Sequence, residues 1–168
     1  MLFIKWLLII IFVMAVIMVA AGQLGLFKGN PPDDLGIRDG RLKPPAPTPN
    51  SVSSQTALYP KHPQKDYATI APIEIDRSGE VTLAKIKTII ATTSGAQIVE
   101  STPDYLYAQF TTPILKFVDD VEFWLDPGMN VIHVRSASRL GKSDLGVNRR
   151  RIETIRSALQ PLSENSID

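Results

Sequence analysis

The chain has 168 residues, enough for one modest domain with accessories, and a formal net charge of +1. It has no cysteine, which excludes disulfides, thiolate metal sites, cysteine nucleophiles and lipoprotein anchoring. Lys5 is the only charged side chain before Lys28, so the rest carries 17 basic against 17 acidic residues. That balance argues against nucleic acid as a partner, which needs a surplus of phosphate-neutralising side chains.

Between Lys5 and Lys28 run 22 uncharged residues, Trp6–Phe27, dominated by Leu, Ile, Val, Met and Ala. As a helix this stretch spans about 33 Å, the thickness of a hydrocarbon core. Residues 1–27 are therefore expected to be a membrane anchor whose bilayer contact is residues 6–27. The alternative is a cleaved signal segment, since Val19-Ala20-Ala21 resembles a small-residue cleavage site. The run is longer than a usual signal core, which favours retention. Lys5 lies before it, and Lys28, Arg38, Arg41 and Lys43 follow, so charge alone leaves orientation open. Long following domains translocate regardless of charge, and the expectation is a single-pass cell-envelope protein with its domain outside the cytoplasm.

Residues 28–64 read as a connector. Asn30-Pro-Pro-Asp-Asp-Leu-Gly36 and Lys43-Pro-Pro-Ala-Pro-Thr-Pro-Asn50 are rich in ladder and helix breakers and favour a stiff, extended spacer. Asn50–Gln55, a run of small hydrogen-bonding side chains, is suited to packing along a domain. Residues 65–163 form the expected domain, with 164–168 a tail. Ala68–Ile75 favours β structure but contains Pro72, which predicts an edge strand or extended segment. Ser78–Ile90 predicts an amphipathic helix, with Val81, Leu83, Ala84, Ile86, Ile89 and Ile90 broadly on one side.

Four strands are expected next, at Gln97–Ser101, Tyr105–Thr112, Leu115–Leu125 and Val131–Ser138, joined by short turns that favour an antiparallel meander. A last helix from about Asp144 to Leu159 carries the stripe Ile152, Ile155, Leu159 and Leu162. The pattern predicts an α+β domain: a four- to five-stranded, mostly antiparallel sheet covered by two helices.

Alternation places Phe117, Asp119, Val121, Phe123 and Leu125 on one face and Val118, Asp120, Glu122 and Trp124 on the other. Pro127-Gly128 suits the centre of a type II turn. A two-residue loop there sets Glu122 opposite His133 and Asp120 opposite Arg135, with Val121, Phe123, Ile132 and Val134 facing the core. Asp119 falls on the core row with Ser136 and Ser138, and a buried carboxylate needs partners. Arg149–Arg151 or the Asp144 region are the nearest sources.

The segment Arg135–Arg151 holds six basic residues, two glycines, three serines, an asparagine and an aspartate. Two readings fit it. In one, the basic 135–156 stretch neutralises the acidic 104–126 stretch and locks the last helix onto the sheet. In the other, Asp119, Arg135, Ser136, Arg139, Asp144, Asn148 and Arg149 line a ligand-binding cleft. There Ser143 or Asp144 caps the helix, and backbone N–H groups and arginines face a small anion. Catalytic patterns are scarce. Adjacent Asp119 and Asp120 point to opposite faces, and His133 alternates away from Ser136 and Ser138. No Gly-x-Ser-x-Gly elbow or phosphate loop occurs. No catalytic residue, metal site or cofactor is implied. The expected function is a non-catalytic binding or scaffold module at the membrane surface, with a protein partner or small anionic ligand. The alternative is an enzyme acting on a small anionic substrate through Asp119, Asp120 and Glu122 with the arginines.

Gly36–Leu42, Pro49–Ser54, Phe117–Phe123 and Arg135–Arg151 together resemble the DUF1499 family of uncharacterised proteins, over nearly everything after the apolar run. The family pattern has cysteines where this chain has Pro45 and Ser51, so packing alone must hold the Pro-rich segment here. The resemblance implies a membrane-associated or exported domain, brings Asn50–Ser54 into it, and supplies no activity or catalytic residue.

Overall fold

The structure is a computed structural model that describes residues 2–160. Leu162 of the expected helical stripe, the tail 164–168 and Met1 lie outside the described residues. The elements in chain order are α1 (Leu2–Gln23), β1 (Ser51–Ser53), a 3-10 turn (Thr56–Leu58), α2 (Lys65–Ala68), β2 (Ile73–Glu74) and α3 (Gly79–Ala91). There follow β3 (Ala96–Ser101), β4 (Tyr105–Thr111), β5 (Val118–Asp126), β6 (Val131–Ser138) and α4 (Val147–Leu159). The architecture is α+β: an apolar amino-terminal helix, then an antiparallel six-stranded sheet with helices. The sheet runs β1-β6-β5-β4-β3, and β2 also pairs with β6. The two strands beyond the expected meander are too short to show a period-2 signal. β6 recruits both.

The apolar run yields a helix that ends at Gln23, four residues before the run does. Gly25 and Gly29 take positive φ beyond it, and Phe27 instead stacks on Phe117 at 5.3 Å between ring centroids. α1 is long and apolar enough to cross a membrane. Ser78 caps α3, its hydroxyl accepting from the Val81 N–H. The buried stripe of α3 includes Leu83, Ile86 and Ile90 of the expected face, with Thr82 in place of Val81 and Ala84, which are exposed. α4 begins at Val147 rather than Asp144, because Leu145 and Gly146 both have positive φ. Of the expected strand Ala68–Ile75 only Ile73–Glu74 is formed, since Lys65–Ala68 closes a helical turn.

One face of the sheet carries the main core. Val52, Ile73, Leu106, Ala108, Phe110, Val121, Phe123, Ile132 and Val134 meet Leu83, Ile86 and Ile90 of α3 and Ile152 and Ile155 of α4. The opposite face carries a smaller cluster of Tyr105, Tyr107 and Trp124, closed over by Leu42 with Leu35 beside it. The Pro-rich segment thus lies across the sheet. Gly36 N–H donates to Glu122 (2.9 Å), Leu42 N–H to the Gln55 side chain (2.8 Å) and Ala46 N–H to the Ser51 hydroxyl (2.7 Å).

The β5–β6 hairpin corrects the expected register. Its pairs are Glu122↔Arg135, Trp124↔His133 and Asp126↔Val131, so the loop is Pro127–Asn130, four residues rather than two. The Asp126 carboxylate accepts from Gly128 N–H (2.8 Å) and Met129 N–H (3.2 Å), and Asn130 takes the left-handed conformation (φ 53°). A slip of two residues leaves every side chain on its expected face while changing every partner. Strand β5 also starts at Val118, so Leu115–Phe117 belong to the preceding turn.

Candidate functional site

The seven residues read from the sequence as one cleft do not converge. Asp119, Ser136, Asp144 and Asn148 meet on the helix-covered face, Arg135 and Arg139 lie on the other, and Arg149 stands apart from both.

On the helix-covered face, Asp119 (4 % exposed) bonds Arg151 of α4, a residue the sequence reading left out of its candidate set. The Arg151 guanidinium also lies 4.6 Å over the Phe110 ring and donates to Ser136 (3.0 Å) and to the Asn148 side-chain oxygen (2.7 Å). Asn148, fully buried, is the hub. Its amide nitrogen donates to the Asn50 carbonyl (3.0 Å), the Ser138 hydroxyl (3.0 Å) and the Asp144 carboxylate (2.8 Å). Its position, in the first turn of α4 and facing β6, is what brings helix, strand and connector together.

Asp144 lies three residues before α4 begins. Its carboxylate accepts from Asn148 N–H (2.9 Å), Gly146 N–H (3.0 Å) and the Tyr67 hydroxyl. Burial pushes this carboxyl upward, but the donors from Tyr67, Asn148 and Gly146 outweigh burial and hold it below the usual carboxylate range. The amides that would bind an anion at this helix terminus are therefore taken by an internal one. Arg149 turns outward and ties α4 to the chain before β2, donating to the carbonyls of Tyr67 (2.6 Å) and Thr69 (2.8 Å). Ser143 makes only a local bond to the Leu145 N–H.

On the other face stand Arg135 and Arg139, under the Pro-rich segment. Arg135 meets Glu122 at 3.3 Å, and Glu122, wholly buried, also accepts from the Tyr105 hydroxyl at 2.9 Å. Arg139 grips Asp120 through two nitrogens, at 2.8 and 2.7 Å, while the Tyr107 hydroxyl donates to the same carboxylate at 2.6 Å. Burial, reinforced by the neighbouring carboxylates, pushes both phenols above their ordinary range, and the Asp120 bonds hold Arg139 still more firmly protonated. His133 stacks on Trp124, 5.5 Å between centroids, with Nδ1 3.0 Å from Ser54 and Nε2 3.5 Å from Asp126.

Asp119, Asp120 and Glu122 are thus each matched to one arginine, on alternating faces. Among the described residues, the only buried side-chain polar atom without a partner is Asn50 Oδ1. A small cavity touches this region, lined by Phe117, Leu140, Leu145 and Val147 with Asp119, Ser138 and Asp144, but these three polar side chains are already bonded to Asn148 or Arg151. The residues missed from sequence, Tyr67 and the Asn50 carbonyl, act over sequence separations that no local pattern reports. Arg151 comes from the Arg149–Arg151 run expected to supply Asp119's partner, and it lies three residues after Asn148, to which it also donates.

No curated protein and no solved structure matches the chain. The sequence pattern of the family described as "Protein of unknown function (DUF1499)" does match it, over residues 41–159, which includes both layers of paired charges and the Pro-rich segment from Arg41 onward. The chain belongs to the DUF1499 family.

Proposed function

We propose that the protein is a membrane-anchored, non-catalytic binding or scaffold module, with α1 retained as a single span and the domain held outside the cytoplasm. The observation that supports this reading is the pairing of Asp119, Asp120 and Glu122 with Arg151, Arg139 and Arg135 on opposite faces of one sheet. An enzyme acting on an anionic substrate needs some of those groups free and convergent. Retention of α1 is supported by its packing: Gln23 donates to the Ile114 carbonyl (2.8 Å), and Gly22 lies against the Leu115 backbone.

The test is thermal unfolding of the full chain in detergent, wild type against Asp119→Ala and Arg139→Ala, with a panel of phosphate, carboxylate and nucleotide anions. Removing one partner of a buried ion pair costs about 3–5 kcal/mol, so both variants are expected to melt many degrees lower. No anion is expected to shift the wild type. Variants that fold normally but lose an anion-induced rise seen in the wild type would overturn the reading in favour of a site.

A further inference from the structure

The geometry points to a second membrane contact: the end of the domain beside α1 docks on an anionic lipid surface. This inference rests on α1 being a membrane span. The turn between β4 and β5 is fastened to the end of α1 by the Gln23–Ile114 bond and by the stack of Phe27 on Phe117. The turn after β6 joins it, since Gly29 abuts the Arg139 and Leu140 side chains. Because Asp119 pairs with Ser138, residues 112–117 and 139–147 leave the sheet at one end, where α1 enters the domain.

That end has the chemistry of an interfacial surface. Ile114 is 60 % exposed, Leu140 40 % and Leu145 82 %. Leu145 has φ 52°, a conformation leucine rarely adopts, and its side chain gains no burial within the described residues to offset the strain. Lys28 and Lys142 are exposed and Lys116 is half-buried beside them. The sole acid in the segments 22–30, 112–117 and 139–147 is Asp144, which is buried and bonded to Tyr67 and Asn148. Apolar side chains ringed by unopposed lysines, next to a span, match the acyl boundary and the anionic headgroups together. A protein partner would need no such continuity with the helix exit.

The absence of cysteine makes a clean probe. The full chain with Leu145→Cys, or with Met129→Cys at the far hairpin tip, carries a polarity-sensitive fluorophore. It is reconstituted in vesicles of phosphatidylcholine alone or of phosphatidylcholine with phosphatidylglycerol. Met129 lies nine β5 residues from this end, roughly 30 Å at about 3.3 Å per residue. The expected result is a blue-shifted label at 145, quenched by headgroup spin labels and more so in the anionic vesicles, with the label at 129 water-like. Each Lys→Gln change at 28, 116 or 142 is expected to lower the docked-to-undocked ratio roughly fivefold in anionic vesicles. If the chain floats with vesicles but its label at 145 is as water-like as at 129, docking is overturned and the anchor stands. Equal docking in both vesicle types overturns the anionic preference. If the chain fails to float with vesicles, the anchor falls and docking falls with it.

Discussion

At the residue scale the organising fact is that each of the three buried acids of β5 has an arginine across a strand or a helix gap. Burial of a lone carboxylate is costly, and mutual pairing is how three acids persist in one strand. The acids themselves were plain in the sequence, and so was their alternation. Their partners were legible only in part: Asp119 pairs with Arg151, from the Arg149–Arg151 run expected to supply it, but Asp144 finds Tyr67 77 residues away. His133 offers a pH probe of the same layer. Burial lowers its affinity for a proton, with Asp126 opposing only in part, so its folded pKa lies below its unfolded value near 6.5. As pH falls through 6.5 the unfolded chain takes up the proton first, so stability is full above that pH and declines below it. Denaturation midpoints measured between about pH 5 and 8 should show this decline, and His133→Gln should flatten it. Stability that rises on acidification in this window would sink the assignment.

At the element scale, turns decide where strands begin and how they pair. The hairpin slipped by two residues because Asp126 and Asn130 extend the loop, a choice that hydrophobic alternation cannot see. The α3–β3 turn shows the same control through Gly95. Its φ is 79°, and an added Cβ would stand 2.5 Å from the Thr111 carbonyl oxygen. Gly36 has a similar φ of 93° but nothing within 4 Å of an added Cβ. Gly36→Ala is therefore expected to cost only the backbone strain, about 1 kcal/mol, and Gly95→Ala distinctly more because backbone must move. Urea denaturation of the two variants separates these contributions. Equal losses would show that the approach to Thr111 is relieved without cost.

At the scale of the whole molecule, the sheet needs two covers. Helices α3 and α4 shield one face, and the Pro-rich segment shields the other, where a row of tyrosine, tryptophan and paired charges would otherwise meet water. Without cysteines at Pro45 and Ser51, that cover is held by Leu42 packing and by the bonds of Gly36, Leu42 and Ala46 to the sheet side. Leu42 is 1 % exposed, so Leu42→Ala is expected to cost about 2–5 kcal/mol in chemical denaturation, as in any core. A loss below about 0.5 kcal/mol, the size of an ordinary surface change, would mean the segment is a tether.

The apolar helix, the amphipathic α3 and α4, the antiparallel meander and the face on which each β5 residue stands were all readable in the chain. All of these follow from local periodicity, which is a property of consecutive residues. The rest depends on contacts between distant segments. β1 and β2 exist because β6 offers them unpaired backbone, and the Pro-rich segment became a cover because the second face is apolar and charged at once. Asp119 and Ser136, with Asp144 and Asn148, were separated from Arg135 and Arg139 because neighbouring positions in a strand point to opposite sides of a sheet, and Arg149 joined neither network. The end of α1 met the 112–117 and 139–147 turns for a like reason: antiparallel pairing brings strand ends together that lie far apart in the chain.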